Sequence, residues 1–188
     1  MTLYSIVLFV HVTAVLVLSA TLSFEVLSLF HLRRAITQAE AGPWIEPVPK
    51  LPLFTMGSVL IILLTGIYLV VPSASGRAWP KVAVAALFLI GPLGAMTARR
   101  MRTIRRTYTP QKAMNLEMLG QLRDPFLKIS LGVRIGVFQG IFLLVNAKPR
   151  LWESIGIVGG YAALGLMLSF LVSRRSTASA VSTADLAE

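Results

Sequence analysis

Five stretches of the chain are too apolar and too long to belong to a water-soluble domain. Residues 2–24 carry no formal charge, and neither do residues 51–76. Residues 82–98 form a charge-free run of 17, with Trp79, Pro80 and Lys81 just before it. Residues 129–147 hold the single charge of Arg134, and 154–173 hold none. About 20 mostly apolar residues cross a bilayer as a helix. A helix satisfies its own backbone polar groups in lipid, and these runs lack the two-residue alternation of barrel strands. The pattern predicts an all-α fold, a polytopic transmembrane helix bundle. Its five spans cover about 3–31, 52–72, 80–99, 127–146 and 152–173, within one domain over 1–175.

The connections carry their own signals. Residues 36–50 contain Pro43, Pro47 and Pro49 around Trp44, which predicts an extended interfacial loop. Pro72, Gly76 and Pro80 mark a short turn. Over 109–124, Thr109 is placed to cap a helix with Pro110 at its first position. Met114, Met118 and Leu122 recur on one face, and Asp124-Pro125 ends the element. This predicts a short amphipathic cytoplasmic helix lying on the membrane surface. The tail, 176–188, is rich in Ser, Thr and Ala and reads as disordered. No basic residue precedes the first span, and Arg33-Arg34 follow it, which suits an uncleaved anchor rather than a cleaved leader.

Composition agrees: 55% of the 188 residues are hydrophobic and 14% are charged, against about 25% charged in soluble domains. The net charge of +10 looks at first like a nucleic-acid signal, but its placement says otherwise. Thirteen Lys and Arg fall in the connections after the first and third spans and in the tail. Only four (Arg77, Lys81, Lys148 and Arg150) fall on the opposite side. The positive-inside rule then puts the N-terminus outside and the C-terminus in the cytoplasm of a multi-pass inner-membrane protein. The lipid bilayer is its partner, and no nucleic acid is needed. The chain has no Cys, which excludes disulfides and thiolate sites. Its two aspartates, Asp124 and Asp185, lie outside the spans, and there is no zincin or phosphate-loop motif. This argues against a hydrolase or ATPase.

Ionisable groups inside a span are costly and need a partner or a task. Glu25 and Arg134 fall at similar depth in the inner half of their spans and are expected to pair. His11 lies about 12 Å into the first span, with Gln139 at comparable depth as a hydrogen-bond partner. His11 is either a satisfied buried histidine or a ligand or proton carrier. His31 is about 30 Å further along the same helix, so the two histidines do not share a metal within one chain, and no metal site is expected. Gly132, Gly136 and Gly140 form a small-residue stripe, and Gly156 and Gly160 repeat the spacing on the fifth span. Such stripes serve intrachain packing, homo-oligomerisation or contact with other membrane subunits.

The first helix, FVHVTAVLVLSATLSFEVLSLFHLRRA, with LLTGIYL (Gly66) and AWPKVAVAALFLIG (Trp79, Lys81), resembles the first three helices of HemJ-type bacterial membrane proteins. It is also similar to the copper-resistance-D membrane domain. The later stretch LLVNAKPRLWESIGIVGG, with Lys148-Pro149, resembles an uncharacterised family of five-helix bacterial integral membrane proteins. The HemJ resemblance implies protoporphyrinogen oxidation, with haem or porphyrin as cofactor and His11 and Lys81 as the cofactor-binding residues. The chain departs from that pattern: the late first-helix motifs and a third-helix His are absent, and there is a fifth span. Three functional classes follow: a haem- or porphyrin-handling redox protein, a small transporter or channel subunit, and an assembly partner packing through its glycines.

Overall fold

The computed structural model describes residues 2–35, 37–47, 50–71, 77–107 and 124–184. Within them the chain forms α1 (Leu3–Arg34), α2 (Gln38–Ile45), α3 (Leu51–Val70), α4 (Trp79–Thr107), α5 (Pro125–Ala147) and α6 (Leu151–Ala184), with no strand among the described residues. All but α2 are long and apolar enough to cross a membrane, giving the five expected spans. The surface-helix expectation over 109–124 lies outside the described residues, except for Asp124.

Local chemistry sets the ends. Thr2 caps α1 by accepting from Ser5 N. Asp124 caps α5, its carboxylate accepting from Phe126 N at 2.9 Å, and Pro125 occupies the first turn, where a missing N–H costs nothing. Lys148 closes α5 in the left-handed region at φ 48° and donates its N–H to Leu144 O. Glu153 then accepts from Arg150 N and starts α6.

One expectation is corrected. The loop over 36–50 contains the helix α2, capped by Thr37. Contact with α1 supports it: Trp44 stacks on His31 with ring centroids 4.0 Å apart and meets Phe24 at 6.3 Å. The helix α6 runs on to Ala184, and residues 185–188 of the tail lie outside the described residues. No Gly or Pro follows Gly165, so nothing in that stretch stops the helix.

Successive spans alternate in direction. The most extensive contact is between α5 and α6, followed by α1 with α3, α4 with α5, and α3 with α4. A lighter contact of α1 with α5 closes a ring of four helices, and α6 lies against α5 and part of α4. The ring interior is filled at a spacing of three and four residues. On α1 the inward positions are His11, Ala14, Leu18, Thr21, Glu25, Ser28 and Leu32. On α3 they are Leu51, Thr55, Ser58, Ile62 and Thr65. These seams mix Leu and Ala with small hydroxyl residues, a composition that lets helices approach closely and hydrogen-bond where lipid supplies no hydrophobic drive. One end of the ring carries Arg33, Arg34, Lys50 and the arginines of late α4. The other end carries Arg77, Lys81, Lys148 and Arg150.

The glycine stripe on α5 is used within the chain. A Cβ on Gly132 would strike Ser169 Oγ and Gly165 O, one on Gly136 would strike Tyr161 O, and one on Gly140 would come within 3.1 Å of Val158 Cα. The matching surface of α6 is therefore Val158, Tyr161, Gly165 and Ser169. Gly156 and Gly160, which repeat the spacing on α6, are not part of this contact and have open space around them.

Candidate functional site

Inside the ring, near its arginine-rich end, α1 and α5 bring Glu25 and Arg134 together. Each lies about nine residues from that end of its helix. The guanidinium grips the carboxylate with two donors, Nη1 to Oε1 at 3.3 Å and Nη2 to Oε2. Arg134 has no solvent-exposed surface, and Glu25 is 8% exposed. The pairing expected from depth alone is thus present in the structure. Gly94 of α4 makes room for it: a Cβ there would lie 3.2 Å from Arg134 Nη1. The Nε of Arg134 is buried with no hydrogen-bond partner among the described residues.

Small hydroxyl groups surround the pair. Thr97 Oγ1 and Ser130 Oγ are 2.9 Å apart and join α4 to α5; each also reaches Leu93 O, at 3.0 and 3.2 Å. Ser28 Oγ and Thr55 Oγ1 are buried without a partner among the described residues. Of these, Ser28 shares the seam of Glu25 on α1, three residues further on, which the sequence shows; Thr55, Thr97 and Ser130 come from other helices, and their place beside it depends on the fold. Below the pair, Asp124 ties three helices: its carboxylate takes Arg100 of α4, and its carbonyl accepts from Arg33 of α1 at 3.3 Å. Arg100 also lies over the Phe126 ring, 4.2 Å from its centre. Exposed pairs of this kind contribute about 0–1 kcal/mol, so Asp124 matters more as a helix cap than as a charge.

His11 is half-buried towards the other end. Its Nδ1 lies 2.8 Å from Thr65 Oγ1, and Thr65 donates to Ile61 O at 2.5 Å. A hydroxyl has one proton. With that proton on Ile61 O, Thr65 accepts from His11 Nδ1–H, which leaves Nε2 as the unprotonated nitrogen, without a hydrogen bond among the described residues. Gly66 lies beside the ring; a Cβ there would come within 3.3 Å of His11 Cε1. Gln139 is corrected as the partner: it sits on the exposed face of α5, because residues 136, 137 and 140 take the inward positions of that turn. Lys81 stands exposed in the first turn of α4, whose main neighbours are α5 and α3. The structure brings His11 to Thr65 and Gly66, and Lys81 makes no hydrogen bond or ion pair with His11 among the described residues. Nor do three potential ligands among His, Cys, Asp and Glu converge among the described residues.

The chain matches no known family, no curated protein and no solved structure. The geometry of the bundle is therefore the ground for a functional reading.

Proposed function

We propose that the chain is a multi-pass protein of the cell inner membrane, N-terminus outside and C-terminus in the cytoplasm, and that it works as a small transporter or channel subunit through the polar patch at Glu25 and Arg134. One observation carries this reading: a fully buried arginine neutralised by a glutamate from another helix, inside an apolar ring, with buried hydroxyls in the bundle that have no partner among the described residues. Buried charges in a membrane bundle are expensive and mark pathways for ions or protons. The orientation rests on the distribution of Lys and Arg. If several copies assemble, Gly156 and Gly160 are the stripe left for that contact.

The test is ion flux. In liposomes holding the full-length protein and a potential-sensitive dye, proton, sodium or potassium gradients are expected to drive flux above that of empty liposomes. The double variant Glu25→Gln with Arg134→Gln, which removes both charges together, is expected to abolish it. Flux equal to the empty control for every ion removes the transport reading. Reporter fusions at the two ends check the orientation: opposite compartments are expected, and a shared one refutes it.

A second reading has an observation of its own. With its Nδ1 held by Thr65, the His11 imidazole would offer Nε2 as a metal ligand. Bound there, a haem would supply one-electron chemistry, with His11 as its ligand and Thr65 orienting the ring. Among the described residues, Lys81 makes no hydrogen bond or ion pair with His11 that supports a part in it. The purified protein, offered haem, is then expected to show a Soret band that is lost in His11→Ala and shifted in Thr65→Val. No band and no uptake would end this reading.

A further inference from the structure

One face of α4 passes without a break from apolar residues into a line of cations. Phe88, Pro92, Ala95, Arg99, Arg102 and Arg106 recur at spacings of four and three residues, and all six are exposed. That spacing keeps them in one line along the helix. The opposite face, with Ile90, Gly94, Thr97 and Met101, is buried in the bundle. Phe88 is 66% exposed and lies within a segment long and apolar enough to cross a membrane. The apolar half of the line therefore borders acyl chains, and Arg99 stands where the charge-free run of 82–98 ends.

Other arginines at this end are engaged inside the protein. Arg33 donates to Asp124 O at 3.3 Å, Arg34 lies over the Phe30 ring at 4.0 Å, and Arg100 holds the Asp124 carboxylate. The side chains of Arg99, Arg102 and Arg106 make no hydrogen bond, ion pair or ring contact among the described residues. Nearby acids are committed elsewhere: Asp124 to Arg100, Glu25 to Arg134, while Glu40 and Glu46 belong to α2 and its cap, which packs on α1. The three cations thus form a line about 10 Å long at the helical rise, with its counter-charge to come from outside the chain. α4 runs towards this end, and each Cα–Cβ bond in a helix tilts back towards the N-terminus. All three side chains therefore leave the backbone leaning towards the bilayer.

We propose that this face of α4 binds an anionic phospholipid of the leaflet at the arginine-rich end. The phosphate lies among Arg99, Arg102 and Arg106, and the acyl chains run along Ala95, Pro92 and Phe88. Arginine suits the task because its planar fork meets two phosphate oxygens at once. Long cationic side chains also keep their stems on apolar surface while the charge sits at headgroup level. The continuity of the line favours a lipid over a soluble anion, since a lipid carries both the phosphate and the chain that match its two halves. The proposal needs only that α4 crosses the bilayer, and it stands apart from the transport and haem readings.

The test is native mass spectrometry of the full-length protein in detergent, offered dioleoylphosphatidylglycerol or dioleoylphosphatidylcholine, which differ only in the headgroup. The native chain is expected to retain phosphatidylglycerol more strongly. Each arginine at an anionic headgroup layer is worth about fivefold in affinity, so removing three is expected to cost on the order of a hundredfold. The triple variant Arg99→Gln, Arg102→Gln, Arg106→Gln should show that loss for phosphatidylglycerol and little change for phosphatidylcholine. It keeps ten of the thirteen basic residues that set the orientation, and the three side chains are exposed, so fold and direction of insertion are retained. The control Arg77→Gln, Lys81→Gln, Arg150→Gln removes the same charge from the other end and is expected to bind as the native chain does. Equal retention of the two lipids by the native chain overturns the proposal. So does undiminished phosphatidylglycerol binding in the first variant, or an equal loss in the control. Displacement of the lipid by millimolar glycerol phosphate also overturns it, because the phosphate would then be recognised without its chains.

Discussion

Replacing Arg134 by Met, or Glu25 by Leu, is expected to cost about 3–5 kcal/mol, because each single change leaves one charge buried without its partner. Replacing both at once is expected to restore most of that loss. Two charges taken out of water are repaid only by each other, and an apolar pair of similar volume avoids the desolvation altogether. The measurement is a double-mutant cycle of thermal unfolding in nanodiscs. Single losses that simply add in the double variant would mean that the two side chains do not interact.

The reciprocal exchange, Glu25→Arg with Arg134→Glu, sharpens this. It preserves the charge pair but moves the larger guanidinium to α1, away from Gly94, whose missing Cβ leaves the space for Nη1. It is therefore expected to be more stable than either single reversal and less stable than the native chain. Gly94→Ala tests the same space with one methyl group and is expected to be harmful only while arginine stands at 134.

The second large effect is expected at the α5–α6 contact. Gly136→Ala would put a Cβ against Tyr161 O and within 2.9 Å of Tyr161 C. Both are backbone atoms, which move only if the helices separate. Overpacking of this kind typically costs about 1–3 kcal/mol. A leucine at the same position is expected to detach α6 from the ring. Gly160→Ala has open space around it and is expected to leave the isolated chain unchanged. The comparison of Gly136→Ala with Gly160→Ala, by circular dichroism melting and by protease access to α6, checks the pairing. Equal effects at the two glycines would contradict it.

Some of this architecture is legible residue by residue. Helix type and span number follow from a local rule: in lipid every backbone N–H and C=O must be satisfied within its own segment. A charge-free run such as 51–76 answers that question without reference to any other part of the chain. The depth of Glu25 and Arg134 is equally local, since it depends only on counting residues from the ends of their spans. Matching depth was enough to anticipate that they meet.

Azimuth was not legible in the same way. Apolar residues surround each span, because lipid accepts them as readily as the bundle does. No polar face therefore announces which side of α5 turns inward. That is why Gln139 was expected beside His11 and instead lies outside, and why Thr65 was not foreseen as the partner. The same holds for α2, where three prolines suggested an open loop and a stacking contact with His31 supports a helix.

By itself, then, the order of residues determined a helical chain with five segments long and apolar enough to cross lipid, and with its basic groups gathered largely at one end. Only the tertiary structure decided that Gly132, Gly136 and Gly140 are spent on α6, that His11 meets Thr65, and that Ser28 borders a space near the ion pair. The division has one physical cause. Insertion is settled segment by segment through backbone hydrogen bonds and transfer to lipid. Neighbour choice is settled by close packing and a few polar contacts between segments far apart in the chain.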